Sequence, residues 1–536
     1  MAQPNILLLM PDQWRFDWDG LARPHIDSPP LHLPHIAQLR AQGTTFPHGA
    51  VVPAPVCAPS RSCMASLREY DLAGTATNSA NDFRADEIPT YFSALQRAGY
   101  HTMTTGKDDL TKATQLGFHL GYDTRNASNT YHARELGFSD SIRFSGKMDV
   151  LQGYPKPHEP YGYHLNARTV ALENGTRINA FRAHRACLGN KADAALCQRS
   201  TYLQSLYEDD WTAAQAVTLL ERAPANVPWF LWVSFPGPHP PFAVTAGMAA
   251  GEPGREAYPR PMDSKSSGKC AARFTGEPSH ARDRCNYAAE MEHLDRLFGT
   301  VLDAVRARGH SVMRDTIVCF FSDHGEMLND HDDVDKSKPW QAALNVPLVC
   351  AGPGIRHNAS VVTPMATVDI GATMLDYANA TPFVGMTARS FRGLLEGAEP
   401  RTRNRTVVLS GLQSYDFGAE PCAVIMVEEG DTEVEYEEGE AGADGGTTRS
   451  PFNFRLAVAE LEGPPLSTYK FVCCQGACPG APTPVGPPGV DNYTRLLFDT
   501  LADPFDMIDL KTRLPHVAET LRAALPTEHG FSCGRL

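Results

Sequence analysis

The segment QPNILLLMPDQ, Gln3–Gln13, decides the fold, because a short apolar run passes directly into polar side chains. A run of this length and composition is typical of a strand buried on both faces, as in a parallel sheet. The pattern returns at Thr316–Phe321, which is followed at once by Ser322-Asp323-His324-Gly325. In an open parallel sheet the carboxyl ends of the strands share one edge, and ligands bind at that edge. We therefore expect Asp12 and Asp323 to lie close together.

Apolar strands and amphipathic helices alternate around these two segments across residues 1–398. This alternation indicates an α/β domain whose sheet is covered by helices on both faces. Further strands are predicted at Thr44–Phe46, His101–Thr105, Trp229–Phe235 and Val346–Cys350, and helices at Leu33–Gln42, Pro89–Gly99, Trp211–Ala223 and Tyr287–Arg308.

Residues 399–536 have a different character and predict a smaller C-terminal α+β domain. Short strands are expected at 406–410, 454–460 and 469–472, and a helix at 514–525. Between the first two strands lies an acidic, glycine-rich segment, 428–446. We interpret it as a solvated loop rather than an acidic docking tail.

The charge balance excludes some classes of partner. The chain has 536 residues with 48 basic and 62 acidic side chains, a net charge of −14. A nucleic-acid-binding protein would carry a basic face, so no nucleic-acid partner is expected. No apolar run reaches the roughly 18 residues that span a bilayer, so no membrane span is expected. The early run Ile6–Met10 is also too short for the core of a secretory signal peptide.

Cysteines and glycosylation sequons nevertheless indicate a secretory history. No motif with zinc-ligand spacing accompanies the thirteen cysteines, so disulfides are favoured, with no pairing assigned. We expect a protein of the secretory pathway, lysosomal or extracellular, although a lost leader and unused sequons both remain open. The pairs Cys187/Cys197 and Cys270/Cys285 are in polar, loop-like stretches, and Cys473, Cys474 and Cys478 cluster. The sequons are at Asn126, Asn174, Asn358, Asn379, Asn404 and Asn492.

The stretch VCAPSR, Val56–Arg61, places a cysteine just before a helix predicted at Ser60–Leu67. Pro59 suits the first helical turn, and the helix N-terminus together with Arg61 forms a pocket for an anion. Cys57 could be a thiol nucleophile, which would need a nearby base and a lowered pKa. It could equally be a small buried apolar side chain.

Asp12, Asp323 and His324 form a candidate metal site at the strand ends. Several oxygen ligands on one edge favour calcium or magnesium, and the imidazole of His324 leaves manganese or zinc possible. A single carboxylate after a strand is also a common helix cap, which is the alternative for each residue taken alone.

The motif C-x-P-S-R, formed by Cys57–Arg61, resembles the signature of the sulfatase family, and further family motifs follow in order. The resemblance implies a large mixed, mostly parallel sheet sandwiched by helices, with a smaller C-terminal α+β domain. It also implies that a formylglycine-generating enzyme oxidises Cys57 to Cα-formylglycine and that one calcium ion is bound. The other matching motifs are Pro4-Asn5-Ile6, Thr105-Gly106-Lys107, Pro238–Phe242, Ser322–Glu326, Lys336 with Trp340, Val346-Pro347-Leu348, Gly352-Pro353-Gly354 and Leu497–Asp499 with Asp503-Pro504.

The resemblance implies a role for each matched residue. Arg61 would hold the hydrated aldehyde, and Lys107, His239 and Lys336 would bind the sulfate oxygens. His239 or Lys336 would also protonate the leaving alkoxide. Lys338 competes with Lys336, which is preferred because it stands four residues before Trp340. The implied metal ligands are Asp12, Gln13, Asp323 and His324, together with an oxygen of the formylglycine at Cys57.

The string Gly106-Lys107-Asp108-Asp109 departs from the pattern of many sulfatases, which carry a histidine where Asp109 stands. This variant, with Arg273-Phe274-Thr275 after Cys270, looks like the arylsulfatase K type, a branch that acts on a 2-sulfated glucuronate in glycosaminoglycan chains. Asn78 either faces the site or is a turn residue.

The predicted function is hydrolysis of sulfate esters, on a sulfated small molecule or a uronate-containing glycan. A phosphonate monoester hydrolase or phosphodiesterase of the same alkaline-phosphatase-like superfamily is the enzymatic alternative. A sulfated-glycan-binding pseudoenzyme is the non-enzymatic one.

Overall fold

The structure of the protein is a computed structural model that describes most of the chain. The acidic segment 428–446 lies outside the described residues, as do Cys197, Cys270 and Cys478 and the sequons at Asn126, Asn404 and Asn492. The described residues are 3–23, 26, 28–78, 87–110, 136–153, 155–157, 159–172, 174–188, 206–249, 279–397, 407–412, 454–461, 467–475, 493–500, 502–525 and 533.

The strands in chain order are β1 Asn5–Pro11, β2 Gly43–Thr45, β3 Ala50–Val51, β4 His101–Lys107, β5 Asp140–Phe144, β6 Thr169–Ala171, β7 Arg177–Asn179, β8 Trp229–Phe235, β9 Thr316–Phe321, β10 Asn345–Val346, β11 Leu348–Ala351, β12 Ala359–Ser360, β13 Val407–Leu412, β14 Phe454–Leu461, β15 Ser467–Gln475 and β16 Tyr493–Asp499.

The α-helices are α1 Pro34–Ala41, α2 Cys57–Ser66, α3 Tyr70–Ala73, α4 Tyr91–Arg97, α5 Pro160–Asn166, α6 Ala180–Leu188, α7 Glu208–Arg222, α8 Ala246–Ala249, α9 Ser279–Ala307, α10 His310–Arg314, α11 Gln341–Leu344, α12 Val368–Tyr377, α13 Arg392–Glu396 and α14 Pro515–Ala523. Short 3-10 helices lie at Phe16–Trp18, Asp149–Gly153 and Asp330–Asp332.

Eight strands form the main sheet in the order β12-β2-β11-β9-β1-β8-β4-β5. The five strands from β9 to β5 in this order are parallel, whereas β11 runs antiparallel to both of its neighbours. The sheet is therefore mixed and mostly parallel, as the sequence predicts. Strand β1 lies in its interior, with Leu9 opposite Val233 of β8 and Phe320 of β9.

Side chains of β1 alternate between two separate apolar clusters, one on each face of the sheet. Ile6 and Leu8 pack in the cluster that includes residues of α2, α4 and α12. Leu7 and Leu9 pack in the cluster that includes residues of α1, α7 and α9. Because successive side chains of a strand point to opposite faces, a continuous apolar run is required where both faces are covered.

A second sheet follows near the C-terminus, with four antiparallel strands in the order β13-β14-β15-β16. Phe471 and Leu497 on this sheet pack against Val517 and Leu521 of α14. The expected smaller α+β unit is present. Its predicted boundary between residues 398 and 399 falls within segment 398–406, outside the described residues, and stays a prediction.

The structure contains disulfides, as expected, and two of them have both partners described. Cys319 of β9 is bonded to Cys350 of β11, directly across the antiparallel pair, and Cys473 of β15 is bonded to Cys533. Cys187 is disulfide-bonded as well. Among the sequons that the structure describes, Asn174, Asn358 and Asn379 are all exposed. No described helix has the length and apolar surface required to cross a bilayer.

Candidate active site

The carboxyl edge of the main sheet brings Asp12 and Asp323 together, because β1 and β9 are adjacent parallel strands. Asp12 follows β1 directly, and Asp323 follows β9 after one serine. Ser322 fixes this junction: its hydroxyl donates to the carbonyl of Pro11 at 2.8 Å and accepts from the backbone NH of Trp14 at 2.9 Å. Both carboxylates are fully buried.

Cys57 is the first residue of α2, three residues earlier than the start predicted at Ser60. Its Sγ atom lies 3.2 Å from Nε2 of His324, 3.1 Å from Nζ of Lys336, 3.5 Å from Nζ of Lys107 and 3.9 Å from Oδ1 of Asp12. The side chain is thus surrounded by the polar groups that the sequence assigned to the site.

The ionisation of Cys57 follows from these neighbours. Burial and Asp12 both oppose a negative charge on the sulfur, whereas Lys107, Lys336 and His324 favour it. The cations prevail, and the pKa of the Cys57 thiol lies well below its ordinary value. An oxygen group at this position would meet the same stabilisation of developing negative charge.

Four residues offer ligand atoms that lie within 4.8 Å of one another: Asp12, Cys57, Asp323 and His324. Two carboxylates and one imidazole around a single point suit a divalent cation. These residues would hold the ion that the sequence predicts, with an oxygen donor on residue 57 completing the set.

Gln13 lies beside this group, but its amide is held in a different hydrogen-bond network. Its Oε1 accepts from Nζ of Lys336 at 3.0 Å, while its Nε2 donates to Glu326 and, at 2.8 Å, to Oδ1 of Asp335. Two carboxylates therefore orient the amide so that its oxygen faces Lys336. A metal-ligand role for Gln13 stays a prediction.

Arg61 connects both carboxylates of the sheet edge. Its Nε donates to Oδ2 of Asp323 at 2.8 Å, its Nη2 to Oδ2 of Asp12 at 3.2 Å, and its Nη1 to Oγ of Ser234 at 2.8 Å. Nζ of Lys107 donates to the same Oδ2 atom of Asp12 at 2.5 Å. Two cationic side chains thus contact the carboxylate of Asp12.

Lys336, which contacts Cys57, forms a close pair with His239. Nζ of Lys336 is 2.7 Å from Nε2 of His239, and Nδ1 of His239 is 2.6 Å from the carbonyl oxygen of Pro240. Burial lowers the pKa of Lys336, but Cys57, Asp335 and Asp12 outweigh burial and hold it above its ordinary value.

The contact between Lys336 and His239 determines which ring nitrogen of His239 carries the proton. An ammonium group can only donate, so Nε2 of His239 accepts, and Nδ1 carries the ring proton that it donates to Pro240. Lys338, the competing lysine, is paired instead with Asp333, with 2.9 Å between Nζ and Oδ2.

Asp209 is a residue that the sequence reasoning missed. It lies in the first turn of α7, is fully buried, and its Oδ1 accepts the backbone NH of Gly237 at 3.0 Å. The carbonyl of Gly237 accepts in turn from the backbone NH of Asp12 at 3.0 Å. A Cβ atom at Gly237 would come 2.4 Å from Oδ2 of Asp209, so only glycine fits there. Asp209 thus anchors the segment that leads to His239.

Asn78 is the residue for which two interpretations were left open. Its Oδ1 accepts the backbone NH of Ala58 at 2.8 Å. The side chain therefore contacts the first turn of α2, immediately after Cys57, and supports the backbone there.

The C-terminal sheet contacts the segment that carries Lys336. Lys470 of β15 and Asp506 form a fully buried ion pair, and Oδ2 of Asp506 accepts the backbone NH of Gln341 at 2.8 Å. Nζ of Lys470 donates to the carbonyl of Pro339 at 2.9 Å. The segment between Lys336 and α11 is therefore fixed from the far end of the chain.

Comparison with known proteins places the chain in a family. The sulfatase family model matches residues 4–380. Choline-sulfatase of Rhizobium meliloti is 28% identical over 403 residues, which cover 70% of this chain and 68% of that protein. Arylsulfatase K of Bos taurus is 25% identical over 403 residues, 70% of this chain and 62% of the relative, less than two thirds of its length.

A phosphonate monoester hydrolase from Silicibacter pomeroyi shares the fold, with a TM-score of 0.67 and 19% identity, covering 97% of this chain and 94% of that one. The family model covers well over half of the present chain, and its span includes Asp12, Cys57, His239, Asp323 and Lys336. The chain therefore belongs to the sulfatase family, the enzymes that hydrolyse sulfuric esters.

Proposed function

We propose that this protein hydrolyses the sulfate ester of a carbohydrate, using a formylglycine made from Cys57 and a bound calcium ion. The observation that supports the proposal is the position of Cys57. Residue 57 stands between two lysines and within 4.8 Å of the candidate ligand atoms of Asp12, Asp323 and His324. An oxygen nucleophile at this position would meet a cation and an anion-binding pocket at once.

The two groups supply the nucleophile and its activation. The hydrated aldehyde would provide one hydroxyl to attack sulfur and a second whose deprotonation releases sulfate, while the calcium ion would polarise the attacking and sulfate oxygens. The carboxylates of Asp12 and Asp323, together with an oxygen donor on residue 57, support calcium.

Side chains of this protein would bind the sulfate group and protonate the leaving alkoxide. Arg61 and Lys107 neutralise the carboxylate of Asp12 and place positive charge where sulfate oxygens would lie. Lys336 carries a proton towards His239, so this pair can protonate the leaving alkoxide. The hydrogen bond from Nζ of Lys336 to His239 favours Lys336 as the residue that donates the proton to the leaving alkoxide.

The enzymatic alternative is a phosphonate monoester hydrolase. Its support is the shared fold, at 19% identity. The sulfate-ester reading has additional support from the family model and from relatives named as sulfatases. A pseudoenzyme is disfavoured, because direct contacts connect all the charged residues that the sequence assigned to the site.

The proposed substrate is a uronate-containing glycan, supported by the arylsulfatase K relatives and by the Asp108-Asp109 variant of the lysine motif. Choline-sulfatase is similarly close in sequence, so choline sulfate is the comparison substrate. We also propose maturation in the secretory pathway by a formylglycine-generating enzyme. The exposed sequons at Asn174, Asn358 and Asn379 support that route.

The mass of the tryptic peptide containing Cys57, measured on active protein, tests the proposal. We expect an aldehyde at residue 57 and an intact thiol at Cys63, a buried cysteine on the same helix that serves as the internal control. The Cys57→Ser variant should be folded and inactive, or trapped as a sulfated enzyme, since serine lacks the second hydroxyl. A fully active protein whose Cys57 is unmodified and alkylatable would contradict the proposal.

A further inference from the structure

Asp109 places a third carboxylate at the site, beside the lysine that faces Cys57. Asp109 is the second residue after the end of β4 and is 2% exposed. Its Oδ2 atom is 3.2 Å from Nζ of Lys107, and the same Nζ donates to Asp12 at 2.5 Å. Lys107 therefore lies between two carboxylates. Burial lowers the pKa of Lys107, but Asp109 and Asp12 outweigh burial and raise it well above its ordinary value.

The charges around Cys57 are balanced by this arrangement. The cationic side chains Arg61, Lys107 and Lys336 are opposed by the carboxylates Asp12 and Asp323 in the candidate metal group and by Asp109 and Asp335 outside it. The charge of Asp109 also acts on Arg61. An anion that binds beside Lys107 is attracted by the lysine and repelled by the carboxylate behind it.

We propose that Asp109 is a specificity-determining residue that favours esters with one negative charge over esters with two. The inference rests on the proposed function and deepens it, since a sulfate monoester carries one negative charge and a phosphate monoester two at neutral pH. Asp109 repels each negative charge of the bound ester. A neutral residue at position 109 therefore removes one repulsive interaction for a monoanionic ester and two for a dianionic ester.

The expected size follows from Coulomb's law. One extra unit charge about 6–10 Å from a carboxylate, at an effective dielectric constant near 20, changes binding roughly tenfold to a hundredfold. The ratio of the two substrates isolates this effect, because both substrates bind beside the same Lys107.

The experiment compares kcat/KM of the mature holoenzyme and its Asp109→Asn variant on three para-nitrophenyl esters: the sulfate, the phosphate and the phenylphosphonate. The phenylphosphonate is a phosphorus ester with one charge, which separates charge from the identity of the central atom. We expect the phosphate-to-sulfate ratio to rise roughly tenfold to a hundredfold, and the phenylphosphonate-to-sulfate ratio to stay within about threefold.

The control variant is Asp108→Asn, which changes the neighbouring carboxylate that pairs with Arg143. An unchanged phosphate-to-sulfate ratio in Asp109→Asn, or an equal rise in Asp108→Asn, overturns the inference and leaves the proposed function standing. If Asp109→Asn does not fold, Asp109→Gly gives the same comparison with a residue that cannot be charged and suits the positive φ of residue 109. Absence of sulfate turnover by the wild-type holoenzyme overturns the proposed function, and the inference with it.

Discussion

Replacing His239 with alanine tests the assignment of proton transfer most directly. In the structure the side chain accepts from Nζ of Lys336 at 2.7 Å, and the lysine keeps two further contacts, with Gln13 at 3.0 Å and with Cys57 at 3.1 Å. Lys336 should therefore stay at the site in the variant but lose the partner that orients its proton. The substitution removes assistance to the leaving group and preserves the anion-binding cations.

The magnitude depends on the leaving group. General acid catalysis is worth about a hundredfold to ten-thousandfold when the leaving alkoxide is strongly basic. We therefore expect kcat/KM on an alkyl or sugar sulfate to fall by about that much. On para-nitrophenyl sulfate, whose leaving group is stable without a proton, we expect less than about a tenfold loss.

The assay is kcat/KM on a series of sulfate esters of increasing leaving-group basicity, for wild type and variant at the same pH. His48→Ala is the matched control, because His48 is an exposed histidine on a different part of the molecule. Thermal unfolding of each variant checks that the folded fraction is unchanged. Equal losses on all esters would make His239 a sulfate-binding residue, and no loss on any ester would remove it from the chemistry.

Two further predictions concern the metal and the segment that carries His239. Chelation should abolish activity, and calcium should restore activity best among divalent ions. The Asp323→Ala variant should fold yet lose most activity and measurable calcium binding. Full turnover by the metal-free protein would refute the assignment of the metal. Asp209→Ala should remove the anchor of Gly237 and lower kcat/KM more on alkyl sulfates than on para-nitrophenyl sulfate. Asp210→Ala, which removes the contact of the next residue with His293, should show no such selectivity.

The bounds of the strands that position the site could be predicted closely from the sequence. The break within the segment Val346–Cys350 was not predicted. Trp229–Phe235 and Thr316–Phe321 have the predicted bounds, because each is a continuous apolar run between polar or turn residues. The strand predicted at Val346–Cys350 is instead two strands, β10 and β11, separated by Pro347, which has no NH to donate to a sheet. The helix Val368–Tyr377, of whose ten residues nine are buried, was missed.

The site was predictable where its residues follow strands or stand in a recognisable motif. Asp12, Cys57 and Asp323 have such signals, and the structure places their side chains together. Asp209 and Ser234 have none, since Asp209 is one of three consecutive acids and only the packing of α7 against β8 directs it to Gly237. Contacts that depend on tertiary packing have no local sequence pattern from which they could be predicted.

The buried ion pair between Lys470 and Asp506 has a consequence for the order of events during synthesis. The segment that carries Lys336 is fixed only after Asp506 has been made, roughly 450 residues after Cys57. At about 5–20 residues per second, translation leaves roughly 20 to 90 seconds between the two. Throughout that interval the segment after Lys336 lacks the contacts that Lys470 and Asp506 make with Pro339 and Gln341. The contacts from the C-terminal sheet to this segment are therefore among the last to form during synthesis.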